Sequence, residues 1–191
     1  GINEQKQMKA VIIAAGVGSR LGELTKETPK SLIDVNGKSI IERQINSFRK
    51  CGINEIVIIT GHQSNKFNLE NVKYVFNPDY AEVEQAFSLL TARKQINDDV
   101  IISFGDIIFE DEILKQIMNI KNNIVIGVDH NWKKSYEKRM DNSPTMSDFI
   151  AIKNGKIVKL FRKSTEFDEG NIVAEFSGLF KLSFDAAKIL I

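Results

Sequence analysis

Cysteine is nearly absent. Cys51 is the only one, so no intrachain disulfide can form and the composition fits a reducing compartment. Long hydrophobic runs are missing as well, and none approaches the ~20 residues a helix needs to cross a bilayer. The basic n-region and apolar h-region of a signal peptide are not found either. No sign of charge dominates: 26 Lys and Arg stand against 25 Asp and Glu, a net charge of +1. That balance argues against a nucleic-acid footprint and against a basic membrane-surface patch. The two histidines, His62 and His130, share no spacing with acids or with Cys51. They therefore read as surface or structural residues rather than zinc ligands or a triad base. Cys51 falls at a helix end and reads as core. These absences leave a cytoplasmic globular protein with no membrane or nucleic-acid partner, of open oligomeric state.

The chain has 191 residues, 42% of them hydrophobic and 27% charged, which suits one domain with a full core. Residues 1–7, "GINEQKQ", read as a leader or tag remnant, leaving 8–191 as a single domain. The final "FDAAKILI" stops inside an apolar helix pattern, so the domain is expected to be incomplete at its C-terminus.

Ile- and Val-rich runs of strand length recur at Ala10–Ala14, Ile56–Thr60, Val72–Phe76, Val100–Phe104 and Ile124–Val128. They lack strict alternation, the pattern of strands buried on both faces. Between the first two, Ser39 and Glu42 form a capping-box pair ahead of Ile41, Ile45 and Phe48, and Gly52 supplies the stop. Further helical patterns cover Glu84–Gln95 and Glu110–Met118. The expected fold is a three-layer αβα sandwich with a mostly parallel, Rossmann-like sheet. A β-hairpin around Asn154-Gly155 follows, then a strand at Ile172–Leu182 leading into a helix.

The first run opens into "AAGVGSRLGELTKETPKSL". A dinucleotide fingerprint would need a third glycine where Leu21 stands. A Walker loop ending at Gly37–Ser39 would need its first glycine at Leu32, and those residues read more simply as the start of the capped helix. What remains is a glycine-rich turn at Gly16 and Gly18 with two cations, Arg20 and Lys30. Such a loop can point backbone N–H groups at a triphosphate and offer a guanidinium fork and an ammonium to it. A plain glycine turn with solvated charges is the alternative. "VIISFGDIIF" ends a buried strand with Asp106, where α/β sheets bind ligands and where a carboxylate can share Mg²⁺ with phosphates. Its alternative is a helix cap for the segment near Glu110. Asp98 and Asp99, at the other end of that strand, read as turn residues.

"MKAVIIAAGVGSRL…TPKSL" resembles the N-terminal signature of nucleotidylyltransferases with a glycosyltransferase-A type fold, closest to choline-phosphate and phosphonate cytidylyltransferases. The resemblance implies transfer of CMP from CTP to a small phosphorylated or phosphonate acceptor, with Mg²⁺ as cofactor and release of pyrophosphate. It implies a place in surface-polysaccharide or phospholipid precursor synthesis. Ala14, Ala15, Gly16, Gly18, Ser19 and Arg20 would wrap the nucleotide, Arg20 and Lys30 would act on the triphosphate, and Asp106 would hold the metal. In "EVEQAFSLL" the family's N-N-x-x-S-L pattern is replaced by Glu84-Gln85 with Ser88-Leu89 kept. Gln85 can donate to and accept from a pyrimidine edge, and Ser88 would join it. An ordinary amphipathic helix is the alternative for this stretch. Trp132, Tyr136, Arg139 and Pro144 resemble the acceptor-binding pattern of phosphonate-type relatives, with Glu175 and Gly178 in the pocket floor and Lys163 on the reacting phosphates. A solvated surface loop is the alternative there. Two rival functions stay open: a sugar-1-phosphate uridylyl- or thymidylyltransferase, and a nucleotide-binding regulatory module without catalysis. The family's second acidic metal ligand has no candidate in these residues and is expected beyond Ile191.

Overall fold

The computed structural model of the chain describes residues 7–17, 27–120, 123–129, 148–153, 156–162 and 172–191. They fall into two compact units, one of residues 1–125 and 180–191, the other of residues 126–179.

The first unit is built on parallel strands β1 (Met8–Ala14), β4 (Ile56–Thr60), β5 (Lys73–Phe76) and β6 (Asp99–Phe104), in the order β5-β4-β1-β6. Register is fixed by pairs such as Ile12 with Ile58 and Ile13 with Phe104. Alternation along each strand sends side chains to opposite faces. On one face Val11, Ile13, Val57, Ile59, Val100 and Ile102 pack with Leu89, Ala92 and Ile96, and with Leu182 and Ala187 from the C-terminal segment. On the other lie Ile12, Ile58 and Ile101, all fully buried, beside helices α1 (Ile40–Lys50) and α2 (Asp111–Asn119). Burial on both faces explains why these strands read as continuous apolar runs. Covering each buried Ile or Val contributes about 1.5–3 kcal/mol, an upper bound because unfolded chains already hide part of that surface.

Helix α1 begins and ends where the sequence places its signals. The Ser39 hydroxyl accepts from the Glu42 N–H at 3.3 Å, and the Glu42 carboxylate accepts from the Ser39 N–H at 2.8 Å. That bond to the Ser39 backbone, with a second from the Ser39 hydroxyl, holds the Glu42 carboxyl below the usual glutamate range. At the other end Gly52 takes φ 86°, Gly52 N–H donates to Arg49 and Ile53 N–H to Phe48. This pair of bonds is a Schellman stop, which favours glycine because a Cβ is strained at positive φ. The Ser47 hydroxyl donates to Asp111 at 2.6 Å and so ties α1 to the start of α2. The same bond lowers the Asp111 carboxyl. Asp99 does more than turn the chain, because its carboxylate accepts the Phe184 N–H that opens helix α3 (Phe184–Leu190).

Two expectations are corrected, and one element is additional. Cys51 is not core: it is half-buried at the cap position of α1, its sulfur 4.0 Å from the Asp111 carbonyl, and burial pushes its thiol pKa up. Gln85–Gln95 is a 3₁₀ helix rather than an α-helix. Its buried residues, Ser88, Leu89 and Ala92, share one face, while Phe87 and Leu90 are exposed. The additional element is a two-residue hairpin ahead of α1: β2 (Asp34–Val35) pairs with β3 (Lys38–Ser39) across Asn36-Gly37, both at positive φ. Arg43 fastens it by donating to the Val35 and Asn36 carbonyls.

In the second unit β8 (Asp148–Lys153) pairs antiparallel with β9 (Lys156–Arg162) and with β10 (Ile172–Leu182), and β10 also pairs with β7 (Ile124–Asp129). The hairpin expected around Asn154-Gly155 is the β8–β9 pair, with a register shift between Ala151 and Ile152. Gly127 lies where a Cβ would meet Ser177 Oγ at 2.5 Å. An α/β architecture with a mostly parallel sheet and a small antiparallel hairpin is thus what the chain adopts.

Candidate active site

Parallel strands deliver their C-terminal ends to one edge of a sheet. Because Ile13 lies beside Phe104, the turn after β1 and the turn after β6 leave that edge side by side. The first carries Gly16, the second Asp106. A third segment joins them from the P-K-S motif. Pro29, at φ −54°, opens a short 3₁₀ turn, Lys30–Leu32, closed by Leu32 N–H on the Pro29 carbonyl at 2.9 Å. Ser31 turns inward and is buried. Gly105 makes room for it: a Cβ there would lie 3.1 Å from Ala14 Cβ and 3.2 Å from Ser31 Cβ.

The consequence is an ion pair. Lys30 Nζ donates to Asp106 Oδ2 at 2.9 Å, with the two side chains 38% and 26% exposed. Two residues selected separately from the sequence meet at the strand ends. Asp106 is therefore not the cap of α2; that position belongs to Glu110, whose side chain makes no capping bond.

Gln85 arrives from the opposite side, at the start of the 3₁₀ helix. A Cβ on Gly16 would lie 2.4 Å from Gln85 Nε2 and 2.9 Å from its Cδ, so the amide rests on the open face of Gly16. Gly16 is not among the glycines at positive φ. What a Cβ there would displace is the Gln85 amide, the end of a flexible side chain. The 3₁₀ helix is held from below by Ser88, 1% exposed, whose hydroxyl accepts from the buried Asn77 amide at 2.9 Å. Asn77 in turn donates its N–H to Thr60 and accepts from Asp79. Ser88 was expected at the nucleotide; the structure places its side chain in the interior, anchoring the element that presents Gln85. Ala14 and Ala15 are buried at 8% and 1%. The Ala15 carbonyl accepts from His62 N–H at 3.4 Å. The His62 ring lies 6.2 Å from the Tyr80 ring, centroid to centroid.

Gly18, Ser19 and Arg20 lie outside the described residues, as do His130, Trp132, Tyr136, Arg139, Pro144 and Lys163. Glu175 lies in β10 opposite Phe149. Sequence reasoning missed Gln44. The available signal was a glutamine among the apolar positions of α1, between Ile41 and Ile45.

Among the described residues no three His, Cys, Asp or Glu side chains gather as a metal cluster. Asp106 alone suits a hard divalent cation that takes one carboxylate and completes its shell with phosphate oxygens and water. The lysine against its oxygen shows that the position accommodates positive charge.

Residues 10–133 match the MobA-like NTP transferase domain. The chain belongs to that family. It is 32% identical over 190 residues to the CTP:phosphoglutamine cytidylyltransferase of Campylobacter jejuni, covering 93% of this chain and 74% of the relative. It is 38% identical over 107 residues to the choline-phosphate cytidylyltransferase of Streptococcus pneumoniae, covering 54% of this chain and 47% of that one. In fold it is similar to the inositol-1-phosphate CTP transferase of T. maritima, with a TM-score of 0.72, 20% identity, and coverage of 97% and 74% of the two chains. The NTP transferase domain makes the chain an enzyme of the nucleotidyltransferase class, and such domains use a divalent metal. No helix among the described residues is long and apolar enough to cross a membrane.

Proposed function

We propose that the chain transfers CMP from CTP to the phosphate or phosphonate of a small acceptor and releases pyrophosphate, in the cytoplasm. The observation that carries this reading is the Lys30–Asp106 pair at 2.9 Å, at the strand-end edge from which the Gly16 turn also leaves. A cation and a carboxylate in contact at a ligand-binding edge are what a metal–triphosphate needs on entry, one group for phosphate oxygens and one for the metal.

The step balances without a covalent enzyme intermediate. An acceptor oxygen attacks the α-phosphorus, the bond from that phosphorus to the bridging oxygen breaks, and pyrophosphate leaves with the electron pair. Protein groups therefore position and neutralise rather than attack. Lys30 would exchange Asp106 for a phosphate oxygen when the nucleotide enters, and the Asp106 carboxylate would then hold the divalent cation, which we assign as Mg²⁺. That cation supplies charge neutralisation on the triphosphate. Gln85 presents an amide with both a donor and an acceptor to the pyrimidine edge. Gly18, Ser19 and Arg20 would complete the triphosphate cradle with Ala14, Ala15 and Gly16. Lys163 would meet the reacting phosphates, and Trp132, Tyr136, Arg139 and Glu175 would hold the acceptor.

Pyrophosphate release measured for each of the four NTPs against phosphoglutamine, choline phosphate, an aminoalkylphosphonate and a sugar 1-phosphate tests this. Release with CTP and one of the first three is expected. A preference for UTP or dTTP with the sugar phosphate would replace the reading with its uridylyl or thymidylyl rival, and no release with any pair would leave a binding module.

A further inference from the structure

Asp106 occupies a four-residue turn, Phe104 to Ile107, closed by the Ile107 N–H on the Phe104 carbonyl at a long 3.4 Å. The Gly105 N–H on the Ile13 carbonyl at 2.8 Å ties the turn to β1, and Lys30 meets the Asp106 carboxylate itself. A side chain from α1 reinforces the turn. Gln44, 2% exposed, donates through Nε2 to the Phe104 carbonyl at 2.8 Å and to the Ile107 carbonyl at 2.7 Å. One amide group thus clamps both ends of the turn. Its oxygen is used as well, accepting from the fully buried Ser103 hydroxyl at 2.7 Å. The amide's orientation follows from chemistry, since the two backbone carbonyls only accept and the hydroxyl can donate.

This arrangement is saturated and buried, so there is no slack in it. Both amide hydrogens and the amide oxygen are engaged, in surroundings where an unmade bond is costly. An apolar residue would satisfy the packing of α1 between Ile41 and Ile45; a glutamine there is explained by the carbonyls it reaches.

We propose that Gln44 is a positioning residue for the nucleotidyl-transfer site, holding the Phe104–Ile107 turn so that the Asp106 carboxylate points at the metal–nucleotide. The proposal rests on the reading of Asp106 as the cation-holding group. Gln44 touches neither substrate nor metal and acts only through the turn. Its loss should therefore be felt as weakened cation binding, of the kind produced when an outer partner of a metal ligand is removed, ~10–100-fold.

The test compares wild type with Gln44→Met, which keeps the volume and removes all three bonds, and with Ile45→Ala, a cavity on the same helix that lowers stability without touching the turn. Ser103→Ala removes one of the three bonds, and Asp106→Asn serves as the reference. Mn²⁺ binding to each protein–CTP complex is followed by electron paramagnetic resonance, alongside the melting temperature and the acceptor KM. Gln44→Met should bind Mn²⁺ ~10-fold or more weakly with the acceptor KM unchanged. Ile45→Ala should melt earlier and bind Mn²⁺ as wild type does. Wild-type Mn²⁺ affinity in folded Gln44→Met would overturn the proposal. Should Gln44→Met fail to fold, Ser103→Ala decides: a smaller shift in the same direction supports the clamp, and unchanged affinity overturns it. Asp106→Asn that binds Mn²⁺ normally would remove the cation role of Asp106 itself, a failure distinct from that of Gln44.

Discussion

Lys30 and Asp106 are 76 positions apart in the chain and 2.9 Å apart in space. Both remain partly exposed, at 38% and 26%, so as an ion pair they contribute at most ~1 kcal/mol to folding. In the proposed reaction their value lies in binding the metal–nucleotide. Lys30→Ala and Asp106→Asn should each lower turnover by ~10²-fold or more, the loss typical of one electrostatic partner of a transition state. Melting temperatures should move little, and calorimetry beside steady-state kinetics checks both halves of that expectation. Gly16 gives a sharper test of geometry. A Cβ there would lie 2.4 Å from Gln85 Nε2, the mobile end of a flexible side chain. Gly16→Ala should push the Gln85 amide aside and raise the CTP KM while the fold survives. An unchanged CTP KM would separate Gln85 from base reading. At this scale the two candidates that meet in space were legible in sequence because chemistry restricts them: a Pro-Lys after a glycine loop, an aspartate ending a buried strand. The contact of Gly16 with Gln85 was not, because it depends on a residue nearly seventy positions later in the chain. Gln44 was also hidden, since its partners are backbone carbonyls that carry no sequence signal.

Among the elements, α1 was the most legible, because capping and stop signals are local. Ser39→Ala should destabilise the chain by ~1 kcal/mol, read as a lower melting temperature. Glu42 adds a pH dependence whose sign follows from its lowered pKa. A carboxyl held below its unfolded value stabilises the fold above that unfolded value and loses the effect as pH falls through the folded one. The stability gap between wild type and Glu42→Gln should therefore stand at neutral pH and shrink on acidification below the usual glutamate range. A gap that widens in acid would contradict the capping role. The 3₁₀ helix was not legible: its sequence carries helix formers, and its buried positions fit an α-helical face as well. The β2–β3 hairpin carried an Asn-Gly signal, but strands of two residues are too short to show a period.

For the whole molecule, the parallel sheet was readable because double-sided burial demands unbroken Ile and Val runs. The acceptor side rests on resemblance and on its aromatic and cationic residues, and Trp132, Tyr136, Arg139 and Lys163 lie outside the described residues. The described part of the site is built on strand ends of one compact unit, so nucleotide binding should stabilise that unit directly. CTP with a divalent cation at ~100 times its Kd should add ~2.7 kcal/mol and raise the melting temperature, and chelation of the cation should reverse most of the rise. Equal shifts with all four NTPs would mean that the base is not read.

The central claim is that the triphosphate is cut between its α and β phosphorus atoms and the CMP kept on an acceptor. Mass spectrometry of the products formed from CTP and the acceptor panel tests this most directly. The account predicts a new species of acceptor plus CMP, formed in equal amount to pyrophosphate and lost in Lys30→Ala and Asp106→Asn. Accumulation of CDP and inorganic phosphate with no CMP-bearing acceptor would contradict it.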